Sequence, residues 1–493
     1  MAYKWRALLA VSFGTYMATM DFSIINVALP TLSDEFDRPP DVVIWAALTA
    51  ALVSTGLTLT AGRAGDLFGR KRIYLGGWIV FGVGLVFASM APNIEVLIAC
   101  RAIQAVGVSM AVGTGNAIIT EAFPDHERGK ALGIVGSVVG AGLMTGPIVG
   151  GALLGFGDWR ALFYLRIPIV FIAFALAVTQ IREPQHADRP AGKLDVPGAV
   201  TLFAFLATAL LAINRGQAWG WGSPQILGLL AVSGASFAGF IRIETTSRSP
   251  VLSLGLFKQR TFSIAVGALV LSFLGQSATL FLMPFYLVEV RGYSTVQTGL
   301  ILATVPSMML LLSAYSGQVS DRYGWRHQTT VGIAVVAAGL LSLATLEADT
   351  PAVLIMARLA VIGIGSAIFM SPNSSDVMGS VPRSMLGTAS ASLATGRTVG
   401  TSVGLAITGA VLVYVAADAA GLDVVANTRD LPPSALLDGI RASFLVAAVL
   451  SFLGVVASSM RPPTVRASYG PPLTAPAAAA PPGAGAPEEG VAS

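Results

Sequence analysis

Fourteen apolar stretches of about 18 residues or more dominate this chain, and each is long enough to cross a bilayer as an α-helix. Only 11% of the residues are charged, whereas soluble domains carry about 25%. The stretches lack the short alternating pattern of barrel strands, so we predict an all-α membrane protein. The predicted spans lie near 7–32, 42–62, 73–92, 95–120, 130–155, 160–181, 196–213, 224–241, 262–288, 296–317, 328–346, 352–374, 386–413 and 441–460.

The distribution of Lys and Arg between the loops predicts the orientation. With the N-terminus in the cytoplasm, 20 of the 30 basic residues fall on the cytoplasmic side, seven fall outside and three lie within spans. This bias favours an inner (plasma) membrane protein with both termini in the cytoplasm, which requires an even number of spans.

Several segments in the first half of the chain resemble segments in the second half. Residues 96–101 (VLIACR) match 353–358 (VLIMAR), and the loop at 62–71 (GRAGDLFGRK) resembles 317–326 (GQVSDRYGWR). The separations of all matched pairs are 254 to 258 residues, which indicates two six-helix bundles with a binding site between them near the membrane midplane. Further matches pair Pro124 with Pro382 and Leu132-Gly133 with Leu386-Gly387.

This repeat divides the chain into four parts. We predict a first six-helix bundle at 1–181, a two-helix insertion with cytoplasmic flanks at 182–261, and a second bundle at 262–460. Residues 461–493 are dominated by Pro, Ala and Gly and predict a disordered cytoplasmic tail. Residues 414–440 are too polar to span and predict a long external loop.

Asp21 lies about 10 residues from either end of the first apolar stretch, where an ionised acid costs roughly 2.5–3.5 kcal/mol, so we predict a functional role. Arg101 of the fourth span lies roughly 9 Å below the outer surface and Asp21 roughly 16 Å, a difference that the arginine side chain can bridge, and Gln104 lies one turn further on. With Asn26, these residues form our candidate site for proton coupling and substrate, in which substrate disturbs the ion pair and the acid takes up a proton. The alternative is a permanent salt bridge between two helices. Pro30 is expected to end the first helix.

The loop after the second span is short and dense in charge. Glycine permits a tight turn there, and Asp66 can cap the next helix or bind nearby basic residues. The second copy of this loop favours a cytoplasmic latch between the bundles over ordinary loop charge. The predicted gating residues are Gly62, Asp66, Gly69, Arg70, Lys71, Asp321, Arg322 and Gly324.

Glycines recur every fourth residue in the fifth span and again in the thirteenth, which predicts faces where another helix backbone can approach closely. These faces are candidate rocking surfaces, although such spacing is common in membranes as generic packing. Pro147 should bend the fifth helix. The residues concerned are Gly142, Gly146, Pro147, Gly150 and Gly151, with Gly396, Gly400 and Gly404 as second-half counterparts.

Other charges within spans leave more than one interpretation open. Arg358 is the repeat partner of the fourth-span arginine and is a possible second-half counterpart. Arg166 and Arg397 either face the cavity or extend toward the interface. Glu121 and Asp376 lie near span ends, where we expect them to be solvated.

The sequence lacks the patterns of pumps and enzymes. It contains no G-x-x-x-x-G-K-[ST] phosphate loop and no H-E-x-x-H. The three histidines and the single cysteine, Cys100, form no metal-ligand cluster. We therefore expect a protein that is not an enzyme, holds no metal or cofactor, and draws its energy from a proton gradient.

The motifs at Asp21 to Pro30, 62–72, Arg101 to Gln104 and Gly142 to Gly151 together resemble the major facilitator superfamily, and within it the fourteen-span drug:proton antiporters of the EmrB/QacA group. The resemblance covers about 7–460. It implies the two-bundle fold with two extra central helices, and a role for Arg101 in proton coupling.

Some residues depart from the pattern. Ala105 replaces a usual glycine, Ala64 and Leu67 replace a usual leucine and arginine, and Arg166 stands where the family typically has asparagine. The last change places an extra charge near the expected outer mouth and leaves the substrate class open.

The resemblance implies a monomeric inner-membrane exporter that exchanges protons for amphipathic compounds such as drugs. An anionic or neutral substrate, for example a lipid precursor, siderophore or antibiotic, is the alternative within transport. A membrane sensor or scaffold that transports nothing is the alternative of another class. No nucleic-acid partner is expected.

Overall fold

The computed structural model describes residues 2–38, 40–154, 158–183, 193–247, 250–323, 326–421 and 432–461. Within these ranges the chain is helical and contains no strand. Thirteen of the described helices are long and apolar enough to cross a membrane, and a further apolar helix, His327–Leu343, is shorter. Apart from Arg461, the predicted tail lies outside the described residues, as does most of the polar segment before the last helix.

Long helices follow one another through most of the chain. Short helices join or extend them at Pro40–Val43, Asp125–Glu127, Ala161–Tyr164, Leu254–Lys258, Tyr286–Val290, Thr295–Leu302 and Arg383–Met385. The long helices are α1 (Tyr3–Phe36), α2 (Trp45–Phe68), α3 (Arg70–Ser89), α4 (Ile94–Ala122), α5 (Arg128–Leu154), α6 (Ile167–Gln180), α7 (Val196–Trp219), α8 (Pro224–Thr246), α9 (Arg260–Phe285), α10 (Thr304–Tyr323), α11 (Arg326–Leu343), α12 (Ala352–Gly379), α13 (Leu386–Ala420) and α14 (Pro433–Ser459).

The prediction that Pro30 ends the first helix is wrong. Helix α1 continues through Pro30, because a proline removes only one backbone donor from a helix whose other turns remain bonded. The helix ends at Asp37, which adopts the left-handed conformation with φ 48°. The backbone N–H of Arg38 then donates to the Ser33 carbonyl at 3.2 Å, and the Ser33 hydroxyl donates to the Arg38 carbonyl at 2.6 Å.

The predicted external loop at 414–440 is also shorter than expected. Helix α13 continues to Ala420, and α14 begins at Pro433 rather than near residue 441. Polar residues are tolerated at both ends because a helix satisfies its backbone internally and can extend beyond the apolar layer.

Helices α1–α6 and α9–α14 form two groups. One buried apolar cluster includes residues of both groups, and a second lies within α9–α14 and its flanking segments. The two groups meet along four helix pairs, α5 with α10, α2 with α13, α4 with α13 and α5 with α12. Helices α7 and α8 pack on each other beside α2, where Leu202, Leu206 and Phe240 cluster with Leu59. The boundaries of the four predicted parts stay predictions.

Candidate functional site

Asp21, in the middle of α1, is the centre of a buried charge cluster. Its carboxylate accepts hydrogen bonds from Nη1 of Arg101 on α4, at 2.9 Å to each oxygen. It also accepts one from Nη1 of Arg166 at 2.5 Å. Asp21 is 5% exposed, and the two arginines are 1% and 2% exposed. The structure thus brings Asp21 and Arg101 together, as the depth argument predicts.

Neighbouring groups fix the Arg101 guanidinium. Its Nε donates to the Ala46 carbonyl at 3.3 Å, and its Nη1 also donates to the side-chain oxygen of Gln104. The Gln104 amide in turn donates to the Gly84 carbonyl at 3.1 Å. A methyl group at Gly84 would lie 2.9 Å from the Gln104 backbone nitrogen, so glycine permits this close approach of α3 to α4.

Arg166 is the second arginine of the cluster, and its contact with Asp21 was not predicted from the sequence. It lies at the break between Ala161–Tyr164 and α6, and its Nε donates to the Leu162 carbonyl. Its guanidinium carbon lies 5.4 Å from the centre of the Phe163 ring. The side chain is directed to Asp21, rather than toward the interface. A charged residue within an apolar span was the available signal.

This cluster carries one carboxylate and two guanidinium groups, so its ionised form has a net charge of +1. The second guanidinium raises the electrostatic cost of protonating Asp21 while all three groups remain in contact. Proton uptake therefore requires that at least one arginine move away. Asn26 lies on α1, but its side chain is outside the described residues.

At the end of α2, Asp66 joins the two bundles. Its carboxylate accepts the backbone N–H groups of Gly387 and Thr388 at 2.8 and 2.9 Å, and the Thr388 hydroxyl at 3.1 Å. It also binds Arg70, whose Nη2 lies 2.9 Å away. Asp66 thus binds the first turn of α13 in the other bundle and does not cap the next helix, because helix N-termini offer unpaired backbone donors.

Asp321, at the end of α10, makes the equivalent contact in the opposite direction. Its two carboxylate oxygens accept the backbone N–H groups of Gly129 and Lys130 in the first turn of α5, each at 2.8 Å. The partners of the two aspartates show that Gly129 corresponds to Gly387. The sequence pairing of Leu132-Gly133 with Leu386-Gly387 is therefore wrong by one helical turn, because it followed a repeated Leu-Gly pair rather than the contact.

Glycines allow these two helix pairs to touch. A methyl group at Gly62 would lie 2.4 Å from the Gly387 carbonyl oxygen, and one at Gly317 would lie 2.0 Å from that of Gly129. Gly69 has φ 107°, which favours glycine in the tight turn between α2 and α3.

Lys71 and Arg322 do not take part in the contacts of Asp66 and Asp321 with α13 and α5. Lys71 donates to the Val178 carbonyl at 2.8 Å within the first bundle. Arg322 is exposed. Gly324 lies outside the described residues.

Each half of the chain also contains a buried ion pair between an arginine and an acid. Arg70 binds Glu121 at 2.9 Å, and Arg461 binds Asp376 at 2.8 Å. All four side chains are almost fully buried, so the expectation that both acids are solvated is wrong. Burial lowers the pKa of the Arg461 guanidinium, and the Asp376 carboxylate opposes that shift. Arg461 follows α14, so the first residue of the predicted tail is anchored inside the second bundle.

The glycine face of α5 packs on α1. Methyl groups at Gly142 and Gly146 would lie 2.0 Å from the Thr19 hydroxyl and 1.8 Å from the Ser23 hydroxyl. Gly150 meets Ile24 in the same way, at 2.8 Å. Pro147 lies within α5.

The second half repeats this contact between α13 and α9. Methyl groups at Gly400 and Gly404 would lie 2.7 and 2.2 Å from the carbonyl oxygens of Val270 and Leu274. Two predicted members make no close approach to another helix. A methyl group would meet nothing within 4 Å at Gly151 and would have ordinary contacts at Gly396.

A cavity lies between the bundles, separate from the Asp21 cluster. Its volume is ≈ 70 Å³, and it is partly open to its surroundings. Arg397 of α13 lines it, whereas Arg358 does not. Arg358 also has no acidic partner among the described residues, because the position equivalent to Asp21 in α9 is Gly275. Arg358, the repeat partner of Arg101, therefore has no counterpart of the Asp21 contact in the part of the chain that the structure describes.

Comparisons with known proteins agree with this architecture. The sequence profile of the Major Facilitator Superfamily matches residues 11–405. The chain belongs to this superfamily. Its relatives are membrane transporters and not enzymes, and its many apolar helices make it a multi-pass membrane protein.

Similar sequences include proteins named for different substrates. The riboflavin transporter RibZ of Clostridioides difficile (strain 630) is 33% identical over 407 residues, which cover 82% of this chain and 88% of that protein. The multidrug resistance protein Stp of Mycobacterium tuberculosis (strain CDC 1551 / Oshkosh) is 29% identical over 406 residues, covering 82% and 75%. The crystal structure of the human organic anion transporter MFSD10 (TETRAN) has a TM-score of 0.64 at 15% identity, covers 92% of this chain and 99% of that one, and shows the shared fold alone.

Proposed function

We propose that this transporter is a proton-coupled exporter of amphipathic small molecules in the inner membrane, of the fourteen-span drug:proton antiporter type. The observation that carries the proposal is the buried contact of Asp21 with Arg101 and Arg166 inside the membrane region. Buried charges within membrane spans are costly and are retained mainly for ion or substrate pathways. The names of relatives, which include multidrug and riboflavin transporters, support small organic substrates.

In this mechanism Asp21 is protonated only when its arginines withdraw. Asp21 lies on α1, Arg101 on α4, and Arg166 directly before α6. A relative movement of these helices therefore changes the distances between the carboxylate and the two guanidinium groups. Separation of the groups raises the proton affinity of Asp21, and their return expels the proton. Substrate movement is thereby linked to proton movement in the opposite direction.

The contacts of Asp66 and Asp321 form the gate in this proposal. They close the bundles at the end where the basic loops lie, which we assign to the cytoplasm from the distribution of Lys and Arg. Both termini are then cytoplasmic. Opening this gate requires both helix N-termini to leave their carboxylates.

The test measures proton movement in inside-out vesicles acidified by respiration. An exported compound enters such vesicles in exchange for lumenal protons, which a pH-sensitive dye reports. The panel comprises cationic dyes, anionic amphiphiles and riboflavin. Asp21→Asn, which removes the titrating group, should abolish compound-driven proton release, and Arg101→Ala should impair it. Asp34→Asn is the matched control, because it removes an exposed acid from the same helix.

Each outcome separates the alternatives. Proton release that survives Asp21→Asn would refute coupling through this cluster. A response to anionic compounds alone would keep the exporter and discard cationic drugs. An inserted, folded protein that responds to no compound would favour the sensor or scaffold.

A further inference from the structure

The cavity between the bundles contains one formal charge. Among its described lining residues, Arg397 is the only ionised side chain at neutral pH, and no carboxylate lines it. The Arg397 Nε has no hydrogen-bond partner among the described residues, and its guanidinium carbon lies 5.6 Å from the centre of the Phe273 ring. The Arg397 side chain is half-buried, and no carboxylate among the described residues neutralises it, so an arriving anion would be stabilised there.

The fold itself does not require this arginine. The equivalent residue of the first bundle, 258 positions earlier, is Val139, which lines the same cavity. The packing of α5 and α13 is otherwise alike, because Gly146 and Gly404 make matching close contacts. The charge is therefore specific to one side of the cavity.

The remaining lining is mostly apolar and favours an amphipathic molecule. Most lining groups are aliphatic or glycine, and Tyr74 and Trp78, each 2% exposed, border the cavity as well. Thr15, Asn116 and Ser374 supply neutral hydrogen-bonding groups. Apolar walls with a few polar groups are typical of small-molecule sites, and a guanidinium binds a carboxylate with two parallel hydrogen bonds.

We propose that this cavity binds amphipathic aromatic anions, with the anionic group on Arg397 and the ring system between the apolar walls. The proposal rests on the transport function proposed above and specifies its substrate class. A lipophilic cation is disfavoured, because it would meet the unpaired positive charge of Arg397 without a lining carboxylate. Asp21 does not line the cavity, so substrate and proton would occupy different sites.

The test compares two dyes with the same three-ring xanthene core and opposite charge. Fluorescein is anionic at pH 7.5, and rhodamine 123 is cationic. Their binding to the full chain, purified in a neutral detergent, is measured by fluorescence anisotropy against empty micelles. We expect fluorescein to bind more tightly than rhodamine 123.

Three variants test whether Arg397 supplies the positive charge that binds the anionic dye. Arg397→Met should weaken fluorescein binding by about tenfold or more, the loss expected for one charge-assisted contact, without weakening rhodamine 123. Arg397→Lys should retain most of the affinity. Asn116→Asp keeps Arg397 but adds a carboxylate to the cavity, and should weaken fluorescein while strengthening rhodamine 123. Arg358→Met is the control, because that arginine does not line the cavity.

Tighter binding of rhodamine 123, equal loss in the Arg358 control, or absence of fluorescein binding to folded protein would each overturn the proposal. Equilibrium binding needs no proton gradient. Failure of the anion site is therefore distinguishable from failure of proton coupling, which appears only in the vesicle assay.

Discussion

Removing the Asp66 carboxylate should open the end of the molecule where the bundles meet. Asp66 accepts two backbone N–H groups and one hydroxyl from Gly387 and Thr388 of the other bundle. Hydrogen bonds to a charged group contribute about 1.5–3 kcal/mol each. At the low end, the two backbone contacts give about 3 kcal/mol, so Asp66→Ala should shift the closed-to-open ratio by roughly a hundredfold.

The distance between the bundles at this end reports that shift. His126 and Ser384 are repeat counterparts that lie just before α5 and α13, one in each bundle. Spin labels at His126→Cys and Ser384→Cys, on a Cys100→Ser background, allow measurement by double electron–electron resonance. The unaltered contact should give one short distance, and Asp66→Ala should add a longer one.

Two further variants test the reasoning. Asp321→Ala should produce the same added distance, because Asp321 makes the equivalent contact with α5. Asp438→Ala removes an acid whose nearest basic partner is Arg441, three residues further along the same helix, and should change nothing. A distance distribution that Asp66→Ala leaves unchanged, in protein that retains its fold, would refute the assignment of these carboxylates as the closing contact.

Two other predictions concern stability, measured as the thermal unfolding midpoint in detergent. Gly146→Ala should lower it, because a methyl group would lie 1.8 Å from the Ser23 hydroxyl, whereas Gly151→Ala meets nothing and should be neutral. Combination with Ser23→Ala should recover part of the Gly146→Ala loss, because the Ser23 Cβ would still lie 2.9 Å from the added methyl group, and an equal loss in Gly151→Ala would contradict the packing argument. Arg461→Met should cost about 3–5 kcal/mol by removing the guanidinium from buried Asp376. Adding Asp376→Leu should restore much of it, and an unchanged midpoint in Arg461→Met would show that the pair contributes little.

The sequence predicted the helices and the main ion pair for a simple physical reason. A membrane helix needs a long apolar stretch and rises by a constant distance per residue. The depths of Asp21 and Arg101, and the reach of the arginine side chain across the difference, could therefore be worked out before any contact was known. Helix ends were less predictable, because α1 and α13 continue beyond the apolar layer without an energetic penalty visible in the sequence.

Contacts made at breaks between helices were missed. Arg166 follows a short helix, and the direction of its side chain depends on the bend there. Arg461 follows the last helix and was assigned to the tail. The repeat contained a signal for the contact of Arg461 with Asp376. In the first half Glu121 pairs with Arg70, whereas in the second half Asp376 corresponds to Glu121 but Trp325 stands at the position of Arg70. An acid whose repeat counterpart has a basic partner, but which lacks one at the matching position, indicates that a basic side chain from another part of the chain binds it.

The two halves are alike where they pack and different where they carry embedded charge. Ser23 against Gly146 matches Ser277 against Gly404, because the same helix crossing requires small residues in both bundles. Two of the embedded charges follow no such symmetry, although Arg101 is matched by Arg358. Asp21 has Gly275 as its counterpart, and Arg397 has Val139. Packing explains the repeated residues but gives no reason to keep a costly charge in one half alone. The unmatched charges are therefore the positions where we expect function, with the acid beside its two arginines and the unpaired arginine in the cavity.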